Sequence, residues 1–501
     1  MKRFTALVLL AALLFCAAAR AENVSNWYEI FVRSYQDSDG DGLGDLNGVR
    51  ERLDYIEDMG WRGLWLMPVM PSPSYHKYDV TDYRAIDPEY GTMDDMRALV
   101  AECHALGIRI IIDLPLNHTS TLHPWFQAAR DALRAGDATG ARVDWYSFLQ
   151  DAAAGYVPLE DTGWFYEEQF AGGGMPDLNL DNPAVLAEID GILDFWLRDV
   201  GVDGFRLDAV TSYFTGDAER NVTLLRRLKQ TCEALKPGSF LVGECWAGLE
   251  TIARYYESGV DSFFLFPAAQ AEGFVVSSMR ARRGAESFAK AYGRALDAIG
   301  DGRLAPFLSN HDTGRTVGLV QGRANPDAVK FAHGLAGTMG GGVFTYYGEE
   351  IGMVGSADDP SKRLAMYWSD EDMTLQPPGA SQIEYAHPSV EDQSADPGSI
   401  LNYVRSVNRM RLAFPRISEG ENAFERAEGN LLLMRRSDET GSVLIAVNFS
   451  SSAEAVVESL ENVAIGWDLE VADGAAALEP DGDALRLVLP PRAIVVLEEQ
   501  R

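Results

Sequence analysis

Residues 107–118 read Gly-Ile-Arg-Ile-Ile-Ile-Asp-Leu-Pro-Leu-Asn-His, and this stretch decides the fold. Gly107 ends a helix predicted over residues 93–106, and the nearly continuous apolar run that follows predicts a strand buried on both faces. Strands of this kind belong to parallel sheets that are covered by helices. Polar side chains follow the apolar run without an intervening turn, so the stretch predicts both a strand and a candidate site at its carboxyl end.

The same alternation of helix and buried strand recurs along the chain. Helices predicted over residues 47–59, 184–200 and 221–235 precede strands predicted over 63–67, 202–207 and 240–243. Further strands are predicted over residues 27–32, 262–265, 304–308 and 342–347. Eight strands that alternate with helices predict an α/β fold, and specifically a closed (β/α)8 TIM barrel.

Two regions break this alternation. Residues 118–182 have few helical or strand patterns and predict a subdomain inserted after the third barrel strand. From residue 417 short alternating strands replace the helices, which predicts a C-terminal antiparallel β domain. The predicted domains are a signal peptide over 1–21, the catalytic barrel over 22–117 and 183–416, an inserted subdomain over 118–182, and a β domain over 417–501.

Composition and charge exclude several classes of protein. The chain has 501 residues, of which 47% are apolar and 24% charged, as expected for a soluble globular protein of two or three domains. Lys and Arg number 43 against 75 Asp and Glu, which gives a net charge of −32. A chain this acidic repels phosphate backbones and anionic lipid, so neither nucleic acid nor a membrane surface is the expected partner.

The N-terminus has the pattern of an export signal. Lys2 and Arg3 precede a mostly apolar run over residues 4–19, and Ala19-Arg20-Ala21 matches a small-x-small cleavage pattern. The run is shorter than the roughly 20 residues that a membrane span needs. We therefore predict a secreted or periplasmic protein without a membrane attachment after cleavage. An uncleaved anchor, or a lipoprotein attached through Cys16, is the alternative.

Loss of that segment would leave three cysteines, Cys103, Cys232 and Cys245. Their spacing implies neither a disulfide framework nor a zinc site, so buried free thiols are expected. A bridge between Cys232 and Cys245 remains open at this point.

Polar residues cluster just past four of the predicted strands, in segments 113–118, 204–209, 243–246 and 309–312. In a (β/α)8 barrel, catalytic groups lie at this carboxyl end of the strands, whereas the opposite rim serves stability. A single Asp or Glu in such a place is more often a helix cap or an ion-pair partner. Carboxylates, two histidines and an arginine together indicate an active site.

These four segments, in this order, resemble the conserved regions of the α-amylase family of glycoside hydrolases, family 13. Residues 175–179, Met-Pro-Asp-Leu-Asn, resemble the family's fifth region in the form found in the group intermediate between oligo-1,6-glucosidases and neopullulanases. The resemblance extends from Trp27 to about Trp368. It implies a retaining hydrolase of the α-amylase type, which cleaves α-1,4-glucosidic bonds in starch and maltooligosaccharides.

The resemblance also implies roles for individual residues. Asp208 would be the nucleophile, Glu244 the general acid/base and Asp312 the third carboxylate. Retaining hydrolysis needs an ionised carboxylate and a protonated acid about 5 Å apart. Crowding by the two aspartates is expected to raise the pKa of Glu244, and Arg206 is expected to keep Asp208 ionised. The implied substrate-binding residues are Tyr78, Asp79, His118, Arg206, His311 and Trp246.

A second constellation, residues 37–45, reads Asp-Ser-Asp-Gly-Asp-Gly-Leu-Gly-Asp. Alternating carboxylates on a glycine-rich loop provide the oxygen ligands that Ca²⁺ prefers. Gly48 stands where an EF-hand would have a bidentate glutamate, so an EF-hand is not predicted. The loop resembles the metal loop of oligo-1,6-glucosidase-like members of the family, and the expected ligands of a structural Ca²⁺ are Asp37, Asp39, Asp41, Asp45 and the Leu43 carbonyl. A solvated acidic turn is the alternative.

Other activities of the same fold remain open. An exo-acting α-glucosidase or oligo-1,6-glucosidase would use the same three carboxylates, and so would a transglycosylase or isomerase that excludes water from the covalent intermediate. A non-catalytic carbohydrate-binding relative is disfavoured, because Asp208, Glu244 and Asp312 are all present. Asn117 is left without a role, and the oligomeric state is not predicted.

Overall fold

The structure is a computed structural model that describes residues 23–170, 172–320, 325–471, 474–482 and 484–499. The predicted signal peptide lies outside the described residues. Eight parallel strands form the central sheet, and they span Asn26–Ile30, Gly63–Leu66, Arg109–Leu114, Gly204–Leu207, Phe240–Gly243, Ser262–Phe264, Arg303–Ala305 and Val343–Tyr346. The first strand pairs with both the second and the eighth. A parallel bridge between Phe307 and Phe344 joins the last two strands and closes the barrel.

Helices surround this barrel. The longer ones span Leu46–Glu51, Leu53–Asp58, Met93–Ala105, Pro183–Asp194, Ala218–Leu235, Leu249–Tyr255, Phe274–Arg280, Gly284–Ile299, Pro326–Gly337 and Ile400–Ala413. Two predicted helices differ from expectation. The helix predicted over residues 47–59 is interrupted at Arg52, whose ψ of 8° departs from helical geometry. The helix predicted over residues 184–200 continues past Asp194 as a π-helix, Phe195–Val200.

The region between residues 118 and 182 is more regular than its sequence suggested. It contains a helix, Pro124–Arg134, and a three-stranded antiparallel sheet of Phe148–Leu149, Tyr156–Leu159 and Trp164–Glu167. The helix begins with proline after the N-cap His123, and it buries Phe126, Ala129 and Leu133 on one face. That spacing and the N-terminal proline are a helix signal, although no helix was predicted in this region.

The C-terminal part of the chain is a pair of antiparallel sheets. Five strands, Glu421–Glu428, Leu431–Asp438, Gly441–Asn448, Val463–Leu469 and Ile494–Glu499, form the larger sheet, and Ala455–Leu460, Ala477–Asp481 and Ala484–Leu489 form the smaller. The predicted fold class, a barrel with an inserted subdomain and a C-terminal antiparallel β domain, is confirmed. The predicted limits of the domains stay predictions.

The barrel interior is filled by side chains. Trp27 stacks between Phe240 and Phe344 with centroid distances of 4.9 and 5.4 Å, and Trp65 packs beside them. Because side chains fill the interior, a substrate can reach the carboxyl ends of the strands only from that end of the barrel. Cys103, Cys232 and Cys245 are buried free thiols, so Cys232 and Cys245 are not paired. Among the described residues, no helix combines the length and apolar character needed to cross a membrane.

Candidate active site

Three carboxylates meet at the carboxyl ends of the barrel strands. Asp208 directly follows the fourth strand, Glu244 directly follows the fifth, and Asp312 lies in the loop after the seventh. They open into a cleft of about 450 Å³. The cleft is lined by His76, Tyr78, His118, Phe170, Met175, Asp208, Ala209, Thr211, Ser212, Glu244, Trp246, Asp312, Asp359 and Arg363.

Arg206 lies beneath the cleft and joins its carboxylates. Since it stands two residues before Asp208 on one strand, both side chains point to the same side. Its Nη1 lies 2.6 Å from Oδ1 of Asp208 and 2.8 Å from Oδ1 of Asp113, and its Nη2 lies 3.0 Å from Oε1 of Glu244. The guanidinium is completely buried. A buried cation of this kind is stable only when it is paired, and here three carboxyl groups pair with it.

Glu244 is set up to hold a proton at neutral pH. Burial is the largest cause that raises its pKa, the negative charges of Asp208 and Asp312 add to it, and the pKa reaches about 8 although Arg206 opposes the shift. Desolvation therefore contributes more to the raised pKa than the expected crowding by the aspartates. A carboxyl group with this pKa can donate a proton in the physiological range.

Asp312 has the opposite electrostatic environment. Burial by itself would raise its pKa, but His311 and Arg363 outweigh burial and hold that pKa well below its usual range. Nε2 of His311 lies 3.1 Å from Oδ2 of Asp312, and Nη2 of Arg363 lies 2.8 Å from Oδ1. Although burial opposes it, Asp312 and Glu29 raise the pKa of His311 to about 10, so the imidazole is a cation. Glu29 accepts a hydrogen bond from Nδ1 of His311.

Tyr78 and His118 form one side of the cleft. The Tyr78 hydroxyl donates to Oδ2 of Asp113 at 2.9 Å and lies 2.6 Å from Nε2 of His311. Nε2 of His118 lies 3.3 Å from the Tyr78 carbonyl oxygen. Burial lowers the pKa of His118, which makes this ring a neutral hydrogen-bond donor.

Of the other residues predicted to contact the substrate, one lines the cleft, two lie beneath it and one lies outside it. Trp246 lies beside Glu244, with 51% of its surface exposed, and stacks on Phe266 at a centroid distance of 4.8 Å. Arg206 and His311 lie under the cleft and contact its carboxylates. Asp79 is not among the residues that line the cleft. It is buried outside the cleft, where its Oδ1 accepts hydrogen bonds from Ser72, at 2.6 Å, and from Ser74.

Several residues of the site were not predicted to take part. Asp113 belongs to one of the four polar segments at the strand ends, but the sequence alone does not show that it pairs with Arg206. Glu29 is one polar residue in an apolar strand, which was a usable signal of burial with a partner. Arg363 and Asp359 come from a segment without helix or strand periodicity, and nothing in their sequence surroundings indicates that Arg363 reaches Asp312.

The acidic loop also forms a cluster. Carboxylate oxygens of Asp37, Asp39 and Asp45 all lie within 4.8 Å of one another, and Asp41 is not part of this group. Asp37 accepts from the backbone N–H groups of Gly40 and Gly42, both at 2.7 Å. Asp45 also caps the helix Leu46–Glu51 through the N–H of Gly48 at 2.8 Å. Three convergent carboxylates are the donor set of a hard cation, so these residues fit Ca²⁺.

Asn117 has a direct hydrogen-bond partner in the segment of residues 175–179. Its Nδ2 donates to Oδ1 of Asp177 at 2.9 Å. Burial raises the pKa of Asp177 to about 7. This bond joins the loop after the third barrel strand to the inserted region, and it gives Asn117 a structural position.

Comparisons with known proteins show which family the chain resembles. The family model described as "Alpha amylase, catalytic domain" matches residues 29–420. The chain is 36% identical over 411 residues to Alpha-amylase 3 of Dictyoglomus thermophilum, covering 79% of this chain and 78% of the relative. It is 32% identical over 454 residues to a 4-alpha-glucanotransferase of Thermotoga maritima, covering 87% and 97%.

Solved structures give the same result for the fold. Amy13B of Eubacterium rectale is 39% identical and superposes with a TM-score of 0.91, covering 96% of each chain. The α-amylase of H. orenii is 34% identical with a TM-score of 0.84, covering 96% of this chain and all of the other. These structural matches therefore extend over 96% of this chain, beyond the residues 29–420 that the family model matches.

Proposed function

Because this chain belongs to the α-amylase family of glycoside hydrolases, we propose that it is a retaining hydrolase of α-1,4-glucosidic bonds in starch and maltooligosaccharides. One observation carries the proposal. A single buried guanidinium, that of Arg206, contacts both Asp208 and Glu244. The surroundings of the two carboxyl groups suit them to different roles. Glu244, with a pKa of about 8, is the proton donor, and Asp208, 2.6 Å from the cation, is the nucleophile.

The reaction then proceeds in two displacements. Glu244 gives its proton to the glycosidic oxygen while a carboxylate oxygen of Asp208 forms a bond to the anomeric carbon, and the leaving sugar departs with that proton. Water then attacks the anomeric carbon and loses a proton to Glu244, which releases Asp208 and restores both groups. Arg206 balances the charge of the buried carboxylates throughout the cycle.

The other cleft residues bind the sugar that carries the anomeric carbon. Asp312, kept ionised by His311 and Arg363, accepts hydrogen bonds from hydroxyl groups and stabilises the positive charge that develops on the ring. The Tyr78 ring provides an apolar surface for a pyranose face. His118 lines the same side of the cleft, with its Nε2–H directed at the Tyr78 carbonyl.

A second candidate, an exo-acting glucosidase or a transferase of the same fold, is favoured by the part of the cleft beside Asp312. Three mutually bonded residues, Tyr75, Asp359 and Arg363, stand there, and we call them the glycone wall. The Tyr75 hydroxyl donates to Oδ2 of Asp359 at 2.5 Å, and Nη1 of Arg363 lies 2.7 Å from the same oxygen. Because Arg363 contacts Asp312, which is proposed to bind the sugar that carries the anomeric carbon, we propose that this wall limits the non-reducing side of the cleft.

We further propose that the acidic loop holds a structural Ca²⁺ through Asp37, Asp39 and Asp45, with Asp41 and the Leu43 carbonyl as the remaining predicted ligands. No residue of the loop is among those that line the cleft, so the ion would stabilise the fold and take no part in bond cleavage. The protein is proposed to act outside the cytoplasm, in the medium or the periplasm, on the basis of its N-terminal sequence.

The test of function is the time course of product lengths from soluble starch, with Asp208→Asn protein as the blank. Mixed maltooligosaccharides and a rapid fall in iodine colour support the α-amylase type. Glucose or one short product from the start, with colour persisting, supports the exo-acting candidate. Products longer than the substrate from maltotriose would support a transferase.

A further inference from the structure

The cleft wall formed by residues 71–79 contains a lysine in an unusual backbone conformation. Lys77 has a φ of +68°, in the left-handed region that residues other than glycine rarely adopt. Its two chain neighbours, His76 and Tyr78, both line the cleft. Glycine would adopt this turn without steric cost, and lysine does not. Contacts of the lysine side chain must therefore hold the turn.

Buried ion pairs provide those contacts. Lys77 is 2% exposed, and its ammonium lies 2.8 Å from Oδ2 of Asp87 and 2.7 Å from Oε2 of Glu89. The ammonium also lies 5.4 Å from the ring centroid of Tyr90. A buried ammonium is stable only where carboxylates pair with it. The side chain thus has one favourable position, which points away from the cleft and fixes the turn behind it.

Asp87 connects the lysine to the start of the segment formed by residues 71–79. Its Oδ2, which receives the ammonium, also accepts from the backbone N–H of Ser72 at 3.1 Å. The Ser72 hydroxyl in turn donates to Oδ1 of Asp79 at 2.6 Å. One buried polar network therefore holds the segment of residues 71–79 at both ends. It contacts the beginning at Ser72 and the end at Lys77 and Asp79.

The turn at Lys77 also sets the two cleft side chains beside it. Nδ1 of His76 accepts from the backbone N–H of Tyr78 at 3.2 Å, so in the neutral ring the proton is on Nε2. From this backbone position the Tyr78 hydroxyl reaches Asp113 and His311. A rotation of the turn would displace the tyrosine ring and remove both contacts.

We propose that Lys77 is a positioning residue, whose buried ion pairs with Asp87 and Glu89 hold the turn that presents His76 and Tyr78 to the glucose ring at the cleavage point. This inference rests on the proposed function, because that function places a glucose ring against Tyr78. Lys77 itself touches neither the substrate nor the reacting atoms.

The test compares Lys77→Met with a matched variant, Lys229→Met. Lys229 makes a similar ion pair, with its ammonium 2.9 and 2.7 Å from the two oxygens of Asp261, but it lies at the opposite rim of the barrel. Both variants lose a partly or fully buried ammonium. We measure kcat and KM on maltotetraose, at a temperature below the unfolding transition of each protein, together with the Tm.

Lys77→Met is expected to lower kcat/KM by about tenfold or more, whereas Lys229→Met lowers the Tm and leaves kcat/KM within about twofold of wild type. Lys77→Gly, which adopts the turn without strain but lacks the ion pairs, should lie between wild type and Lys77→Met. A kcat/KM within about twofold of wild type for folded Lys77→Met overturns the proposal.

If Lys77→Met does not fold, Glu89→Ala decides. Glu89 is the half-exposed partner, so its removal weakens the ion pairs without burying an unpaired group. A fall in kcat/KM of about threefold or more supports the positioning role, and an unchanged kcat/KM overturns it. Wild-type protein that fails to cleave α-glucans would contradict the proposed function instead, and active wild type with unaffected variants would contradict only the role of Lys77.

Discussion

The backbone N–H of Ala209, the residue that follows Asp208, donates to Oε2 of Glu244 at 3.0 Å. Ala209 has a φ of +42°, so the chain turns sharply after the strand that carries Asp208. This turn directs the N–H towards the neighbouring strand end. The proposed nucleophile and the proposed proton donor are thereby held together by the backbone as well as by Arg206, and their separation does not depend on side-chain contacts alone.

Asp208→Asn and Glu244→Gln should each abolish turnover without unfolding the protein. Both changes keep the size of the side chain, and each removes the group that forms or breaks a bond. We expect activity on maltooligosaccharides below about 1% of wild type, with a melting curve that remains cooperative. Residual turnover of more than a few per cent in a folded variant would refute the assigned role.

The pH dependence of kcat/KM should have a basic limb near pH 8. Glu244 donates only when it is protonated, and its pKa is raised to about 8, chiefly by burial. Above that pH the protonated fraction falls about tenfold per unit, and kcat/KM should fall with it. Initial rates at low substrate concentration between pH 5 and pH 10 test this. A basic limb at pH 6 or below would exclude Glu244 as a proton donor with a raised pKa.

Much of this site was predictable from sequence, because each proposed catalytic carboxylate follows an apolar strand. Where a buried strand runs directly into Asp208 or Glu244, the fold class itself dictates that the side chain lies at the barrel mouth. The family resemblance supplied the roles. Both signals are local, and neither requires knowledge of what packs behind the site.

The groups that adjust the site were not predictable in the same way. Arg363 acts on Asp312 from the end of the one-turn helix Asp359–Lys362, and Asp79, expected in the cleft, instead bonds Ser72 outside it. The main cause of the raised pKa of Glu244 is burial, which a sequence motif does not report. Position at a strand end can be read from sequence, whereas packing between distant loops cannot.

Asp359→Ala should change the lengths of the products. It removes the carboxylate that joins Tyr75 to Arg363 and opens the glycone wall, while the contact of Arg363 with Asp312 remains possible. We expect longer products from soluble starch and a higher KM for maltotriose, which chromatography of early time points and initial rates would show. A variant with the product profile and KM of wild type would mean that the glycone wall does not limit the length of the bound substrate.

Removal of Ca²⁺ should lower the Tm, because an ion that binds only the folded state stabilises it by mass action, by about 2.7 kcal/mol at a hundredfold excess over Kd. Asp39→Asn removes a carboxylate from the group of three and should lower the Tm in Ca²⁺ and make it insensitive to chelator. Asp41→Asn should weaken the response to Ca²⁺ less than Asp39→Asn does, since Asp41 is not part of that group of three. A wild-type Tm that does not change after exhaustive chelation would argue against the site.

Glu350 should make the protein less stable as the pH rises towards neutrality. The side chain is fully buried, and its Oε1 accepts from Tyr28 at 2.5 Å and from Tyr55 at 2.9 Å. Its Oε2 has no hydrogen-bond partner among the described residues. Burial raises its pKa to about 7, against an ordinary value of 4.5, although the hydrogen bonds from the tyrosines oppose the shift.

The sign of the effect follows from where the proton is held. The folded protein keeps the Glu350 proton up to about pH 7, whereas the unfolded chain loses it near 4.5, so the contribution to stability is complete below pH 4.5 and is lost as the pH rises through about 7. Glu350→Gln keeps an acceptor for both tyrosines and does not titrate. Between pH 4.5 and 8, the free energy of unfolding of wild type should therefore fall relative to the variant by up to about 3 kcal/mol, and urea unfolding at the two pH values measures this. Groups common to both proteins cancel in the difference, so a constant difference would show that Glu350 is ionised in the folded state.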